Sequence, residues 1–159
     1  MFLERTEGQS PVMRSAVAAF GFVYIHPLAD GNGRVHRFLI NDLLRRDGVV
    51  DEPMILPVSS LIDSDPSARR AYDRILDGIS RPLMGALTGF YEFTQIQTNY
   101  PDSVTSNFSF FGNDVARPCW RFLNLTSHVI YLADVLKRTI SEERREESRY
   151  VRCHALAGR

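Results

Sequence analysis

Several residue types that can do chemistry together lie between residues 25 and 39, in the stretch IHPLADGNGRVHRFL. A histidine, His26, and a carboxylate, Asp30, precede a Gly-Asn-Gly turn, and the arginines Arg34 and Arg37 follow it. Histidine has an ordinary pKa of about 6.5 and therefore suits a general base near neutral pH. The segment thus combines a proton acceptor with charges of both signs.

The turn predicts an anion site. Gly31 and Gly33 can adopt backbone conformations closed to other residues, so successive N–H groups around Asn32 can form a nest. A helix that begins directly after the turn adds its own N–H groups and dipole. Arg34 and Arg37 are three residues apart and share a face of that helix. Two guanidinium groups beside a nest favour a polyphosphate over a single carboxylate.

Asp30 would repel bound phosphates unless a cation lies between them. Magnesium fits this position, because it takes one or two carboxylates together with phosphate oxygens. With His26 as the base, the constellation predicts transfer of a nucleotidyl or phosphoryl group to a hydroxyl.

Simpler interpretations of the same letters remain. DGNG alone is common turn chemistry, and a lone histidine at a helix end is usually structural. A calcium loop is excluded, because the twelfth position counted from Asp30 is Asn41 and not glutamate. A nucleotide-binding P-loop is excluded because GxxxxGK[ST] does not occur.

The full order of residues resembles the signature of the Fic family, HPFx[DE]GN[GK]R followed by xxR. It stands here as His26 to Arg34 and then Arg37, and one fixed position differs, because Leu28 replaces phenylalanine. The resemblance extends over roughly residues 10 to 92, and a weaker one covers about 108 to 140.

This resemblance implies a protein adenylyltransferase that moves AMP from ATP to a Ser, Thr or Tyr hydroxyl of a target protein. It implies His26, Asn32 and Arg34 as catalytic residues and Asp30 as the magnesium ligand. The implied nucleotide-binding residues are Asp30, Gly31, Asn32, Gly33, Arg34, Arg37 and Tyr72. For Tyr72, packing in the core is at least as good an interpretation. Leu28 is expected to anchor the loop in the core, as the family phenylalanine does.

The elements that must position these residues are mainly helical. A helix starts at Ser10 and ends near His26, because Pro27 disfavours helical geometry before it. The next helix runs to Gly48, with Val35, Phe38, Leu39 and Leu43 as its apolar stripe. His36 is expected on the surface.

The rest of the chain continues this pattern. Asp65 caps a helix to about residue 80, Pro82 interrupts it, and a further helix follows. Residues 94 to 114 are predicted as a linker that can contain short strands. A long helix over 116–140 and a charged helix capped by Ser141 follow. Trp120, on the first of these, is expected in the core, and His128 and His154 are interpreted as lone helical histidines.

The predicted fold class is therefore mainly α, a Fic-like helical bundle with a partial core and a C-terminal helical extension. The predicted domains are 1–93 for the catalytic core, 94–114 for the linker and 115–159 for the extension.

Composition limits the setting and the partners. The 159 residues carry 19 basic and 19 acidic side chains, so no charge excess indicates a nucleic acid partner. Two cysteines form no framework of disulfides, which favours the cytoplasm. No signal peptide or membrane-length apolar run occurs. The expected partners are ATP and a hydroxyl-bearing protein, and a homo-oligomer stays open.

Two expectations concern completeness. Fic proteins carry more helical core before the motif, including a β-hairpin flap, and here only about nine residues precede the motif helix. We therefore expect the C-terminal part of a longer protein or a truncated gene product. No inhibitory [ST]xxxE[GN] helix is recognisable. The alternatives to AMP transfer are transfer of a phosphoryl or another nucleotidyl group, and a catalytically silent fragment that only binds.

Overall fold

A computed structural model of the chain describes residues 2–50, 55–58, 65–100 and 103–157. Its elements are α1 (Phe2–Arg5), α2 (Pro11–Ile25), α3 (Asn32–Arg46), α4 (Pro66–Ala86), β1 (Tyr91–Asn99), β2 (Thr105–Phe110), α5 (Asn113–Arg121) and α6 (Thr126–Ala157). The prediction of a mainly α fold is confirmed. In the described residues, no helix is both long enough and apolar enough to cross a bilayer.

The chain divides into two compact units, residues 1–75 with 125–159 and residues 76–124. This division differs from the predicted domains 1–93, 94–114 and 115–159, which stay a prediction. The first unit contains the motif and the second contains the two strands.

The core of the first unit lies where α2 packs against α3 and α6. Ala16 and Ala19 have no exposed surface, and such small side chains allow the helices to approach closely. Phe20 fills the space between them. Other large buried side chains include Ile40, Leu43 and Leu44 from α3 and Leu132, Val135 and Leu136 from α6.

A buried arginine fastens the beginning of this unit. Arg14, near the start of α2, forms an ion pair with Asp47, which follows α3. Its guanidinium also donates to the carbonyl of Leu3 at 3.0 Å and to the hydroxyl of Thr6 at 3.2 Å. One side chain therefore holds α1, α2 and the end of α3 together, and its charge is paired as a buried charge must be.

The two motif helices have the predicted bounds within one or two residues. Arg45 and Arg46 occupy the last turn of α3, and Gly48 follows it with a φ of 71°. The apolar stripe of α3 differs from the prediction, however. Its buried positions are Asn32, His36, Ile40, Leu43 and Leu44, a stripe whose first two members are polar. Phe38, predicted in the stripe, is exposed.

Helix α4 begins as predicted and ends later. The Asp65 side chain accepts a hydrogen bond from the backbone N–H of Ser67 at 2.8 Å. Pro82 lies inside the continuous helix, although the sequence predicted an interruption there. Both Pro82 and Gly78, four residues earlier, are exposed. Water can therefore solvate the carbonyl of Gly78 that the missing N–H leaves unbonded.

Most of the predicted linker is a β-hairpin. Strands β1 and β2 pair antiparallel, with Tyr91 opposite Phe110 and Asn99 opposite Thr105. The register shifts between Phe93 and Thr98, so the middle of β1 bulges. The rings of Tyr91, Phe93, Phe108 and Phe110 lie 5.4–6.5 Å apart where they are neighbours. Cross-strand aromatic pairs stabilise such a hairpin.

The C-terminal helices divide at a different place from the one predicted. The break lies between Arg121 and Thr126, and α6 then continues through Ser141. The Ser141 hydroxyl donates to the carbonyl of Lys137 at 2.7 Å. This internal bond accommodates the serine inside the helix, where a cap was expected. The predicted core residue Trp120 is 37% exposed.

Candidate active site

The candidate base lies at the junction of α2 with the motif loop. His26 has left-handed dihedrals (φ 48°, ψ 53°), and its N–H donates to the carbonyl of Phe22 at 3.0 Å. Its Nδ1 lies 3.3 Å from the carbonyl oxygen of Val23. A carbonyl can only accept, so this contact assigns the proton to Nδ1 and leaves Nε2 able to take one. The ring is exposed, as a base that meets a substrate requires.

The loop is held through its backbone. The Asn32 side chain, which is buried, accepts from the N–H of Leu28 at 3.1 Å and donates to the carbonyl of Leu28 at 2.5 Å. The Leu28 side chain itself is 42% exposed, so the expected core anchor is wrong. Asn32 does the anchoring, because an amide can satisfy both backbone groups of one residue at once.

The start of α3 presents backbone donors to the loop. The N–H of Val35 makes the first intrahelical bond, to the carbonyl of Gly31 at 3.0 Å. The N–H groups before it belong to the unsatisfied first turn of a helix, which favours anions. Gly31 has a φ of 91°, a conformation that side chains rarely adopt. The backbone of this turn is compatible with the predicted cradle, and anion binding there stays a prediction.

Both motif arginines fold back over the glycines. A Cβ added to Gly31 would lie 3.3 Å from Nη2 of Arg34, and one added to Gly33 would lie 3.3 Å from Nη1 of Arg37. The positive charge of the two guanidinium groups and the dipole of α3 therefore meet at the same turn. This placement agrees with the shared helix face expected from their spacing.

Asp30 pairs with Arg34 across the first turn, with 2.8 Å between Oδ2 and Nη2. Both side chains are highly exposed, so water and salt screen the pair strongly. A carboxylate in such an exchangeable contact fits magnesium that takes its remaining ligands from phosphate oxygens and water. Asp30 is the residue of the loop that would hold it.

A cavity of about 470 Å³ adjoins the arginines, between α3 and residues 55–57. Its lining comprises Arg34, Arg37, Phe38, Asn41, Asp42, Arg45, Ile55, Leu56 and Pro57. The volume falls in the range of small-molecule sites, and the cavity joins cations to apolar surface. The sequence prediction missed this wall, because nothing local in the residues around Leu56 shows that they return to α3.

Asn41 builds that wall with an amide clamp of its own. Its Oδ1 accepts from the N–H of Leu56 at 2.8 Å, and its Nδ2 donates to the carbonyl of Leu56 at 3.2 Å. Two asparagines of α3 thus fix two separate loop segments, one at each side of the arginines. An asparagine inside a helix of otherwise good helix formers was the available signal.

Tyr72 lies in an aromatic cluster below α3. Its ring centroid is 5.8 Å from that of His36 and 6.2 Å from those of Phe20 and Tyr131. Burial raises the pKa of Tyr72, and the positive charge of Arg37 opposes that rise. The packing interpretation thus describes the position of Tyr72, and its contact with a nucleotide stays a prediction.

Two histidines for which the sequence predicted no functional role lie in the same cluster. His36 is only 2% exposed, so its predicted surface position is wrong. His36 and His128 pack edge-on against Phe20, and their ring centroids lie 4.9 and 4.8 Å from that of Phe20. Burial lowers the pKa of both histidines. Burial therefore favours the neutral form of both rings.

Tyr24 connects the C-terminal half of α2 to His128 of α6. Its hydroxyl lies 2.6 Å from Nε2 of His128 and donates to the carbonyl of Ile75 at 3.2 Å. A hydroxyl has one proton, so His128 donates through Nε2 when Tyr24 donates to Ile75. Burial raises the pKa of Tyr24 to about 12, which keeps that proton in place.

Comparison with known proteins agrees with the motif. Residues 2–44 match the sequence model of the Fic/DOC family. A protein adenylyltransferase fic-1 from Caenorhabditis briggsae is 42% identical over 57 residues, which are 36% of this chain and 11% of that protein. A protein adenylyltransferase Fic from Drosophila ananassae is 44% identical over 54 residues, 34% of this chain and 10% of that protein. No solved structure matches the chain.

Over residues 2–44, which carry the motif, the chain is similar to the Fic/DOC family, and the predicted resemblance is confirmed there. The match covers the whole of α2 and the loop and nearly all of α3. The aligned segments span about a tenth of the length of these relatives.

Proposed function

We propose that the motif segment transfers AMP from ATP to a hydroxyl side chain of a target protein. The observation that carries the proposal is the arrangement around the loop. His26 ends one helix with Nε2 available, and Arg34 and Arg37 cover the first turn of the next. The relatives named as protein adenylyltransferases over this same segment support it.

In the proposed reaction the target's hydroxyl oxygen attacks the α-phosphorus of ATP. A new P–O bond forms, the bond from the α-phosphorus to the bridging oxygen of the β-phosphate breaks, and pyrophosphate leaves. The hydroxyl proton goes to Nε2 of His26. The Nδ1 contact with the carbonyl of Val23 orients the ring and leaves Nε2 to accept. His26, Asn32 and Arg34 are the residues proposed to act in this step, Asn32 by holding the loop.

Charge neutralisation falls to the other loop residues. Arg34 and Arg37 would bind the β- and γ-phosphates, and the N–H groups at Gly31, Asn32 and Gly33 would receive phosphate oxygens. Asp30 would hold magnesium, which when bound neutralises phosphate charge and helps pyrophosphate to leave. To hold magnesium, Asp30 would give up its exposed contact with Arg34, and the Arg34 guanidinium would then be available to the phosphates.

The cavity beside Arg37 is proposed to receive the nucleoside. Arg34 and Arg37 are the cations of its lining that belong to the motif, and Phe38, Ile55 and Leu56 supply apolar surface. A purine needs flat apolar contacts, and phosphates need the cations, so one ligand can satisfy both ends. Tyr72, whose pKa responds to the charge of Arg37, keeps its predicted role as a nucleotide-binding residue in this proposal. The expected compartment is a reducing one that supplies ATP, such as the cytoplasm.

The test uses the full chain with a lysate, magnesium and ATP labelled at the α-phosphate. The parent is expected to label protein, and His26→Ala to label none while still binding magnesium–ATP in a calorimeter. Arg46→Ala, which removes an exposed cation in the last turn of α3, outside the motif loop, serves as the control. Equal labelling by the parent and His26→Ala would refute the proposal.

The same assay separates the alternatives. Label transferred from the γ-phosphate and not from the α-phosphate would indicate a phosphoryl transferase. The glycine at position 33 disfavours phosphoryl transfer, because proteins of this family that transfer a phosphoryl group typically have lysine at that position of the motif. A folded chain that binds no magnesium–ATP would be a silent binding module, and its circular dichroism spectrum would show that it is folded.

A further inference from the structure

A second cavity, of about 920 Å³, lies within residues 76–124 and has no part in the proposed reaction. It runs along α5, and its lining includes Phe110 of the hairpin and Leu87, the residue directly after α4. Its apolar lining also includes Pro118, Trp120 and Phe122. Phe122 is 82% exposed, although a phenylalanine normally buries its ring. Exposed aromatic side chains around a concavity are typical of protein-binding surfaces.

Charge at this cavity is arranged along α5. Arg117 and Arg121 are four residues apart on one face of the helix and both line the cavity. In the described part of the chain neither guanidinium is paired with a carboxylate, and Arg121 lies 5.7 Å from the ring centroid of Phe122. Asp114, the acidic lining residue, lies in the first turn of α5. The end of the cavity near Phe122 is therefore positive.

We propose that this cavity binds a short acidic segment of a partner protein, inserting an apolar side chain beside Phe122 and pairing its carboxylates with Arg117 and Arg121. Unpaired arginines beside aromatic surface make charge-assisted hydrogen bonds to carboxylates without first breaking an internal ion pair. Tryptophan, phenylalanine and arginine are also enriched where partners bind. A nucleic acid would meet the carboxylate of Asp114 at the cavity, and the rest of this unit's sequence carries three further acidic residues and only one further basic residue, Arg81.

The test exploits Trp120, which is the single tryptophan of the chain and lines the cavity. Its fluorescence is followed while the full chain is titrated with the tryptophan-free peptide acetyl-EELFEE-amide. We expect a saturable change, with affinity about tenfold or more lower for acetyl-KKLFKK-amide and for acetyl-EEAAEE-amide. Added salt should weaken binding of the acidic peptide, because the pairs are partly exposed.

Charge reversal makes the test decisive. The double variant Arg117→Glu with Arg121→Glu should lose the acidic peptide and prefer the basic one. Phe122→Ser should weaken binding of the acidic and the basic peptide alike. The double variant and Phe122→Ser should keep the parent's circular dichroism spectrum, because the changed side chains are exposed. Equal binding of the two charged peptides, or a preference unmoved by reversal, would overturn the proposal.

Two further arms separate the remaining outcomes. If a ten-nucleotide oligodeoxythymidylate bound and the acidic peptide did not, the surface would be assigned to nucleic acid and the peptide proposal would be overturned. His26→Ala should bind the acidic peptide like the parent, because the cavity and the motif loop share no residue. A failure of AMP transfer would therefore leave this result unaffected, and the converse also holds.

Discussion

The side chain of Asn32 is bonded to both backbone groups of Leu28, four residues earlier in the chain. Asn32 is buried and Leu28 is largely exposed, so the loop is fixed by an amide clamp and not by a hydrophobic anchor. The clamp sets the position of Asp30, which lies between the two bonded residues. It also fixes where α3 begins relative to His26.

Removing the clamp should loosen the loop and leave the helices folded. Asn32→Ala leaves two backbone groups of Leu28 without their partners, which costs about 1–3 kcal/mol of unfolding free energy. Amide hydrogen exchange should rise at residues 28–31, and magnesium–ATP binding should weaken. The measurements are exchange followed by mass spectrometry, denaturant titration and calorimetry.

Leu28→Ala is the matched control for that variant. It removes an exposed side chain and keeps both backbone bonds, so unfolding free energy and exchange should change little, within about 0.5 kcal/mol. If Leu28→Ala proved as damaging as Asn32→Ala, the side-chain anchor expected from the family would be correct after all.

Arg37 should matter for nucleotide affinity far more than its charge alone explains. Charge-assisted hydrogen bonds are worth about 1.5–3 kcal/mol, so Arg37→Ala should weaken magnesium–ATP binding by roughly 10- to 150-fold. Arg46→Ala deletes the same charge in the last turn of α3 and should have little effect. Calorimetric titration measures both, and comparable losses would mean that only net charge is involved.

Acidification should destabilise the first unit through its buried histidines. His36 faces Phe20, Tyr72 and the charge of Arg37, and His128 faces Phe20 and Tyr24. Burial lowers the pKa of both below the ordinary 6.5, so below that pH the unfolded chain binds protons that the folded chain resists. Stability is therefore full above about pH 6.5 and falls as the pH drops toward the folded pKa values.

Thermal unfolding between about pH 7.5 and 5.5 measures this dependence. His36→Gln and His128→Gln should each flatten it, since glutamine does not titrate in this range. A pH dependence that survives in the two buried variants would have to come from other groups.

Gly112 should be irreplaceable at the start of α5. A Cβ there would lie 2.6 Å from Cβ of Phe90 and 3.0 Å from Cε2 of Phe110, with no flexible end to yield. Gly112→Ala should therefore destabilise residues 76–124 by about 1–3 kcal/mol, as overpacking does. Trp120 fluorescence during urea denaturation reports on this unit.

Gly78→Ala provides the comparison on α4. Nothing lies within 4 Å of a Cβ added there, and the residue is exposed inside a helix. Alanine should then stabilise by roughly 0.5–1 kcal/mol, because glycine is the poorer helix former. Opposite signs for the two substitutions are the expected outcome, and a neutral Gly112→Ala would show that the contact relaxes.

Much of the site could be predicted because its signals are local. Pro27 and the glycines mark where α2 ends and α3 begins, and Arg34 and Arg37 share a face by helical spacing alone. Asp65 caps its helix for the same reason. Such features depend on residues a few positions apart, whose geometry the backbone fixes.

The predictions were wrong where contacts between residues distant in the sequence decide the environment of a side chain. His36 is buried because Phe20 and Tyr72 pack around it, and a polar residue gives no periodic sign of that environment. Residues predicted as a linker form strands because their aromatic side chains pair across a hairpin. Trp120 is exposed because the chain turns after Arg121 instead of continuing as a helix.

By itself the sequence determined the motif, its order of chemical groups and the helices that carry it, since these follow from short-range spacing. The tertiary structure alone decided that Asn41 closes a wall beside Arg37 and that His128 meets Tyr24 across 104 positions. It also decided that Arg117 and Arg121 border a second cavity. Contacts of that kind depend on packing between segments far apart in the chain, and packing is a property of the folded molecule.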